Sequence, residues 1–137
     1  MTASDVFDRA IQMMDYGDET TGASDNDKTK IFKNRSVALL NVLIAESLSL
    51  CGIASPYPTV AAISDEIAGV PDAIVCAILP YGLASALAGD SNTKMSNYWR
   101  QCYEQAISVY AKDQEAEFMA IEDLYGGIEN SEYGAWQ

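Results

Sequence analysis

The sequence predicts an all-α fold: a small helical bundle with a kinked central helix, two longer helices, a short N-terminal helix and an extended C-terminal arm. Three observations carry this expectation. Residues 71–89 hold an uninterrupted apolar run from Ala73 to Leu79, and a helix that is apolar all round is expected to be buried all round. Residues 27–50 and 92–110 each repeat apolar side chains at helical spacing. Apart from an amphipathic stretch near the start, the remaining segments show no helical period and are rich in proline, glycine or acidic residues.

The short N-terminal helix is expected over 5–16, where Phe7, Ile11 and Met14 fall at i, i+4 and i+7, beside Val6, Ala10 and Met13. Ser4 is its expected cap, and Asp5 and Asp8 suit the positive end of the helix dipole. Residues 16–27 read as an acidic polar loop. The first long helix follows over 27–50, with Ser24, Asp25 and Asn26 as possible caps and Gly52 as its stop. Its expected core stripe is Phe32, Leu39, Leu40, Leu43 and Leu50, broadened by Val42 and Ile44.

Pro56 and Pro58 force extended backbone in the 53–70 connector, whose Ile63–Ile67 stretch fits either a helical turn or an extended piece. In the central helix Pro71 suits the first position, Gly89 the end, and Pro80 is expected to kink the interior. Gly82, Ser85, Ala86 and Gly89 put small residues on one side, so a neighbouring backbone is expected to come close there. The second long helix places Met95, Trp99, Cys102, Ala106 and Val109 on one face, read as its buried face. Pro80, Tyr81, Gly82 and Ser85 interrupt the apolar stretch and its flanks lack basic anchors, so a membrane span is not expected. Residues 1–124 read as one helical domain and 125–137 as an arm.

Twenty acids against eight bases give a net charge of −12. Such a chain repels phosphate backbones and anionic lipid surfaces rather than gripping them. Histidine is absent, and Cys51, Cys76 and Cys102 are far apart with no Cys-x-x-Cys pair. The commonest general base and zinc ligand are therefore missing, and neither a disulfide framework nor a metal site is expected. No nucleophile elbow, phosphate loop or dinucleotide fingerprint is present, and the adjacent acids Asp65-Glu66 and Glu122-Asp123 do not face one another on a helix. The chain reads as a non-enzyme with no cofactor. The N-terminal residues show no basic-then-apolar signal pattern, which leads to an expectation of synthesis in a cytoplasm.

Two features point to partners. Lys28, Lys30, Lys33 and Arg35 crowd the start of the first long helix, where cations oppose the dipole. They read either as a solvated end offset by nearby acids or as an ion-pairing surface for an acidic patch on another subunit. Tyr98, Tyr103 and Tyr110 add aromatic area to the second long helix, which suits a subunit interface as well as a core. Beyond Asp113 the chain has no base, and its last residues set Tyr125, Ile128, Tyr133 and Trp136 on a glycine-containing backbone. Aromatic anchors on such a backbone favour an arm that docks on a partner.

Three stretches together resemble the head–tail connector (adaptor, or head-completion) proteins of long-tailed bacteriophages and prophages. They are Asp27–Asn41; Leu79-Pro-Tyr-Gly-Leu-Ala-Ser-Ala-Leu-Ala with Asn97–Glu104; and Ile121-Glu-Asp-Leu-Tyr-Gly-Gly-Ile closing on Tyr133-Gly-Ala-Trp. One departure is Trp99-Arg100-Gln101, where the family more often has Phe-Asn-Gln. The resemblance implies a virion protein at the head–tail junction, a homo-oligomeric, usually dodecameric, ring that extends the DNA channel beneath the portal. DNA passes through without sequence-specific binding, and a downstream connector or tail-terminator protein docks on the far side. By this analogy Tyr125, Gly126, Gly127, Ile128, Tyr133 and Trp136 grip the portal, while Lys28, Lys30, Lys33, Arg35, Tyr98 and Tyr103 serve the subunit interface. The alternative from another class is an acidic DNA mimic or regulatory protein that occupies a basic groove on a host factor.

Overall fold

The computed structural model describes residues 1–15, 29–89 and 92–122, with side chains of the last helix as far as Gln114. Among the described residues the fold is all-α, with four helices and no strand: α1 (Ala3–Met13), α2 (Lys30–Leu50), α3 (Leu79–Ala88) and α4 (Thr93–Glu122). A π-helical segment, Ile74–Ile78, leads directly into α3.

Helix α1 begins two residues earlier than expected because Thr2, not Ser4, is its cap. The Asp5 N–H donates to the Thr2 hydroxyl at 3.1 Å, and the Thr2 N–H donates to the Asp5 carboxylate at 2.9 Å. This reciprocal box satisfies two otherwise orphaned donors. Val6, Phe7, Ala10 and Ile11 are buried. Helix α2 ends as expected at Gly52, whose φ of +81° is open to glycine. Ile53 N–H reaches Leu48 C=O at 2.9 Å and Gly52 N–H reaches Ser49 C=O at 3.0 Å, the paired bonds of a Schellman motif.

The inward face of α2 is rotated from the expected stripe. Leu40, Leu43, Ile44 and Leu48 are buried, with Ser36 and Ser47 among them. Each serine donates its hydroxyl back to its own helix, to Phe32 and Ile44 C=O, so neither is left unsatisfied. Val42 and Leu50, expected inside, are 65% and 58% exposed. They share an amphipathic period with the true core, and period alone does not say where a broad stripe is centred.

The 53–70 connector is irregular, as its prolines require. Asn41 holds it against α2 by a two-way amide clamp on Val60, at 2.8 and 3.0 Å, while Val60, Ile67 and Val70 point inward. Ile63–Ile67 is not a helix: Asp65 draws Ala61 and Ala62 N–H onto its carboxylate, and an isolated bridge joins Glu66 to Thr2.

One expectation for the central helix is corrected. It is not buried all round, since Ala73, Cys76 and Ala77 are exposed on its first half. Gly89 follows its last residue, Ala88, as the expected end, in a right-handed conformation with φ −57°. The distortion expected at Pro80 is the π segment. An α-helical bond to Cys76 C=O would have to come from the residue-80 N–H, which proline lacks. Arg9 of α1 donates to that carbonyl instead, at 3.0 Å. The wider π turn lets the chain enter α3 with Pro80 at its second position, where a missing N–H costs nothing.

The expected close approach occurs. A Cβ on Gly82 would lie 2.8 Å from Leu43 of α2 and 2.9 Å from the Tyr103 ring of α4. One turn on, Ser85 and Ser96 exchange hydroxyl-to-carbonyl bonds at 2.9 and 2.8 Å, fastening α3 to α4. Gly82→Ala therefore overpacks the meeting point of three helices. It is expected to lower unfolding stability by roughly 1–3 kcal/mol in chemical denaturation, whereas Gly52→Ala, with open space around it, costs only its backbone strain.

Candidate interaction surfaces

Of the residues expected at interfaces, Lys30, Lys33 and Arg35 lie on the first turns of α2, Lys30 exposed and the other two half-buried. Helix α2 has no acid in its own first turn and no side-chain hydrogen bond at its cap. Tyr98 is exposed at the start of α4, edge-on to Trp99 at 4.9 Å between centroids. Lys28 and the arm residues Tyr125, Gly126, Gly127, Ile128, Tyr133 and Trp136 lie outside the described residues.

Tyr103 does not belong with this group. It is completely buried within its own chain, so its assignment to a subunit interface is corrected to the core. Its hydroxyl donates to Glu46 Oε1 at 2.9 Å, and Arg100 binds both Glu46 oxygens at 3.3 and 2.9 Å. The Arg100 guanidinium also lies 5.0 Å from the Tyr103 ring centre and donates to Glu104 at 3.1 Å. Trp99-Arg100-Gln101, the departure from the connector pattern, thus supplies the cation that joins α4 to α2.

Partial burial alone would raise the Glu46 pKa, but the hydrogen bonds from Arg100 and Tyr103 outweigh it and hold the carboxyl below its ordinary value of 4.5. Burial, and then the bond to Glu46, drive the Tyr103 phenol well above its usual range. Because the Glu46 pKa is depressed on folding, its contribution is present above pH 4.5 and is lost as pH falls through the lower folded value.

Part of the surface exposes large apolar side chains. Ile31 and Val42 stand 68% and 65% exposed on the outer side of α2, with Ala38 and Ser49 exposed between and beyond them. On another side, two adjoining open hollows lie along the π segment and the start of α3. One, of about 470 Å³, is lined by residues including Ala73, Ala77, Tyr81, Ala106, Val109 and Asp113. The second, of about 550 Å³, shares Ala77, Tyr81 and Ala106 and is bordered by Arg9. The stripe read as the buried face of α4 is thus mostly its groove-side flank: Cys102, Ala106 and Val109 line the first hollow, while Tyr103 and Ile107 enter the core.

Among the described residues no group of acids and cysteines could hold a metal ion, and no helix is long and apolar enough to cross a membrane. The polar lining of the first hollow is Tyr81, Cys102, Gln105, Tyr110 and Asp113, and Arg9, Gln12 and Cys76 border the second. What the surface offers is apolar area bordered by charge. No protein-family model, curated protein or solved structure matches the chain.

The Glu46 network yields a measurable pH signature. Glu46→Gln is expected to cost roughly 1 kcal/mol at pH 7, discounted for a carboxylate one-third exposed. Urea unfolding of both proteins from pH 7 to pH 3 should show that difference shrinking below pH 4.5. A constant difference across the range would remove the carboxylate from the account.

Proposed function

We propose that this chain is a structural subunit of a virion: a connector that forms a homo-oligomeric ring beneath a phage portal, extends the DNA channel, and presents its far side to the next tail component. The observation that carries the reading is where the most distinctive motif falls. Leu79-Pro-Tyr-Gly-Leu-Ala is the segment at which the π turn is resolved and three helices meet, with Gly82 facing Leu43 and Tyr103. A motif in that position specifies how the subunit is built, which is what a resemblance between structural proteins should preserve.

Charge supports the same reading. At −12, the chain makes a wall that repels phosphates, along which DNA can slide without being held. The exposed apolar ridge on α2 and the open groove beside α4 suit a protein completed by contact with copies of itself. The ring is dodecameric by the resemblance, and the arm from Tyr125 to Trp136 grips the portal.

Removing residues 125–137 separates the arm from the bundle. The truncated protein is expected to keep the helical circular dichroism and thermal midpoint of the full chain while failing to co-migrate with portal in size-exclusion chromatography. Unchanged portal binding after truncation would show that the anchor lies elsewhere. Electron micrographs of full chain mixed with portal should show an added ring on the portal's channel axis, and its absence would count against the connector reading itself.

A further inference from the structure

We infer that α1 braces the first half of the central helix, so that α1 and residues 65–79 open as one unit while the rest of the bundle stays closed. The unit is a property of the isolated chain and needs neither a portal nor a second copy. Its origin is a defect in the central helix. Over Ile74–Ile78 the turn is wide, and the Leu79 N–H donates to the Ile74 carbonyl, five residues back. The Cys76 carbonyl would take its α-helical bond from residue 80, which is proline. Arg9 supplies that bond from another helix, at 3.0 Å.

Helix α1 is fastened to this region at two places. At its start, the Ala3 N–H donates to Asp65 C=O at 2.9 Å and the Ile67 N–H donates to Met1 C=O at 3.0 Å, around the bridge between Thr2 and Glu66. Six residues beyond Ala3, Arg9 reaches the π segment. Cys76 is held twice, its carbonyl by Arg9 and its thiol by the Met1 thioether, which accepts at 3.2 Å. Between the fastenings the two stretches share burial, with Val6 and Ala10 of α1 in the same core as Val70, Ile74 and Ile78.

Past Pro80 the central helix is held by other partners. Gly82 lies against Leu43 of α2 and Tyr103 of α4, and Ser85 exchanges bonds with Ser96. The polar fastenings therefore change sides at Pro80: before it they lead to α1, after it to α4. A proline at that junction also removes one of the backbone bonds by which an opening on one side would be resisted by the other. Proteins open in contiguous units bounded where such links are few, and the two sides of Pro80 meet that description.

Native-state hydrogen exchange of the full chain reads the unit directly. The amides of Ala10 and Ile11 in α1 and of Leu79 at the wide turn are expected to share one opening equilibrium, less protected than Leu83 to Leu87. Arg9→Met keeps much of the apolar stem and removes the donor. It should quicken exchange at all three amides together by about tenfold, the loss expected for one hydrogen bond from a charged group, and leave Leu83 to Leu87 unchanged. With Pro80→Ala the residue-80 N–H becomes available to the Cys76 carbonyl, so adding Arg9→Met there should change exchange by less than about twofold. Thr2→Ala is a second probe that touches neither fastening: it removes the α1 cap, and should quicken exchange at Leu79 by the same factor as in α1, about fivefold. The inference is overturned by any of three results: wild-type Leu79 opening independently of α1, a Thr2→Ala or Arg9→Met effect confined to α1, or an Arg9→Met effect equal with and without Pro80. Should Pro80→Ala fail to fold, the Thr2→Ala comparison decides alone.

Discussion

Three helices in this protein meet at a residue without a side chain, and their arrangement depends on that absence. Leu43 of α2 and the Tyr103 ring of α4 occupy the space a Cβ on Gly82 would need. With Gly82 in place, α3 becomes an axis against which α1, α2 and α4 each bury a face. Tyr103 can then sit at the centre of the bundle with its hydroxyl on Glu46. A buried phenol needs such a partner, and a partly buried carboxylate needs compensating donors, so Arg100 completes an arrangement in which each polar group answers another.

The second constraint is Pro80. Within a continuous α-helix it would strand a carbonyl and crowd the preceding turn. The chain widens to a π turn over Ile74–Ile78 instead and hands the Cys76 carbonyl to Arg9 of α1. The proline is thereby converted from a break in one helix into a link between two. The same distortion leaves Ala73, Cys76 and Ala77 facing outward rather than into the core. The groove between the π segment and α4 is lined by these outward-facing small residues together with Ala106.

Much of this was legible in the residues. Gly52 had to end α2, the small residues after Pro80 had to admit a neighbouring helix, and Pro80 had to disturb its own. The cap at Thr2 was missed because Ser4 is an equally good capping residue; only the reciprocal bond with Asp5 distinguishes them. The Glu46–Arg100–Tyr103 network joins residues more than fifty positions apart, and no local pattern encodes such a meeting. Tyr103 illustrates the limit from the other side: an aromatic residue on a helix with several aromatics fits a core and an interface equally well until a neighbour such as Gly82 is placed beside it.

The misplacement of Val42 and of the Met95–Val109 stripe has a more general cause. A face that packs against its own chain and a face that packs against another copy obey the same helical repeat, because both are helices burying apolar area. Composition does not separate them either, since both are depleted in charge at their centres. The separation lies in count: a helix of this bundle can turn only one side toward α3, so apolar residues in excess of that side must face elsewhere. On α2 the excess is Ile31, Ala38 and Val42, and on α4 it is Cys102, Ala106 and Val109. Apolar area left over in this way is surface that the helices' neighbours within the bundle do not cover.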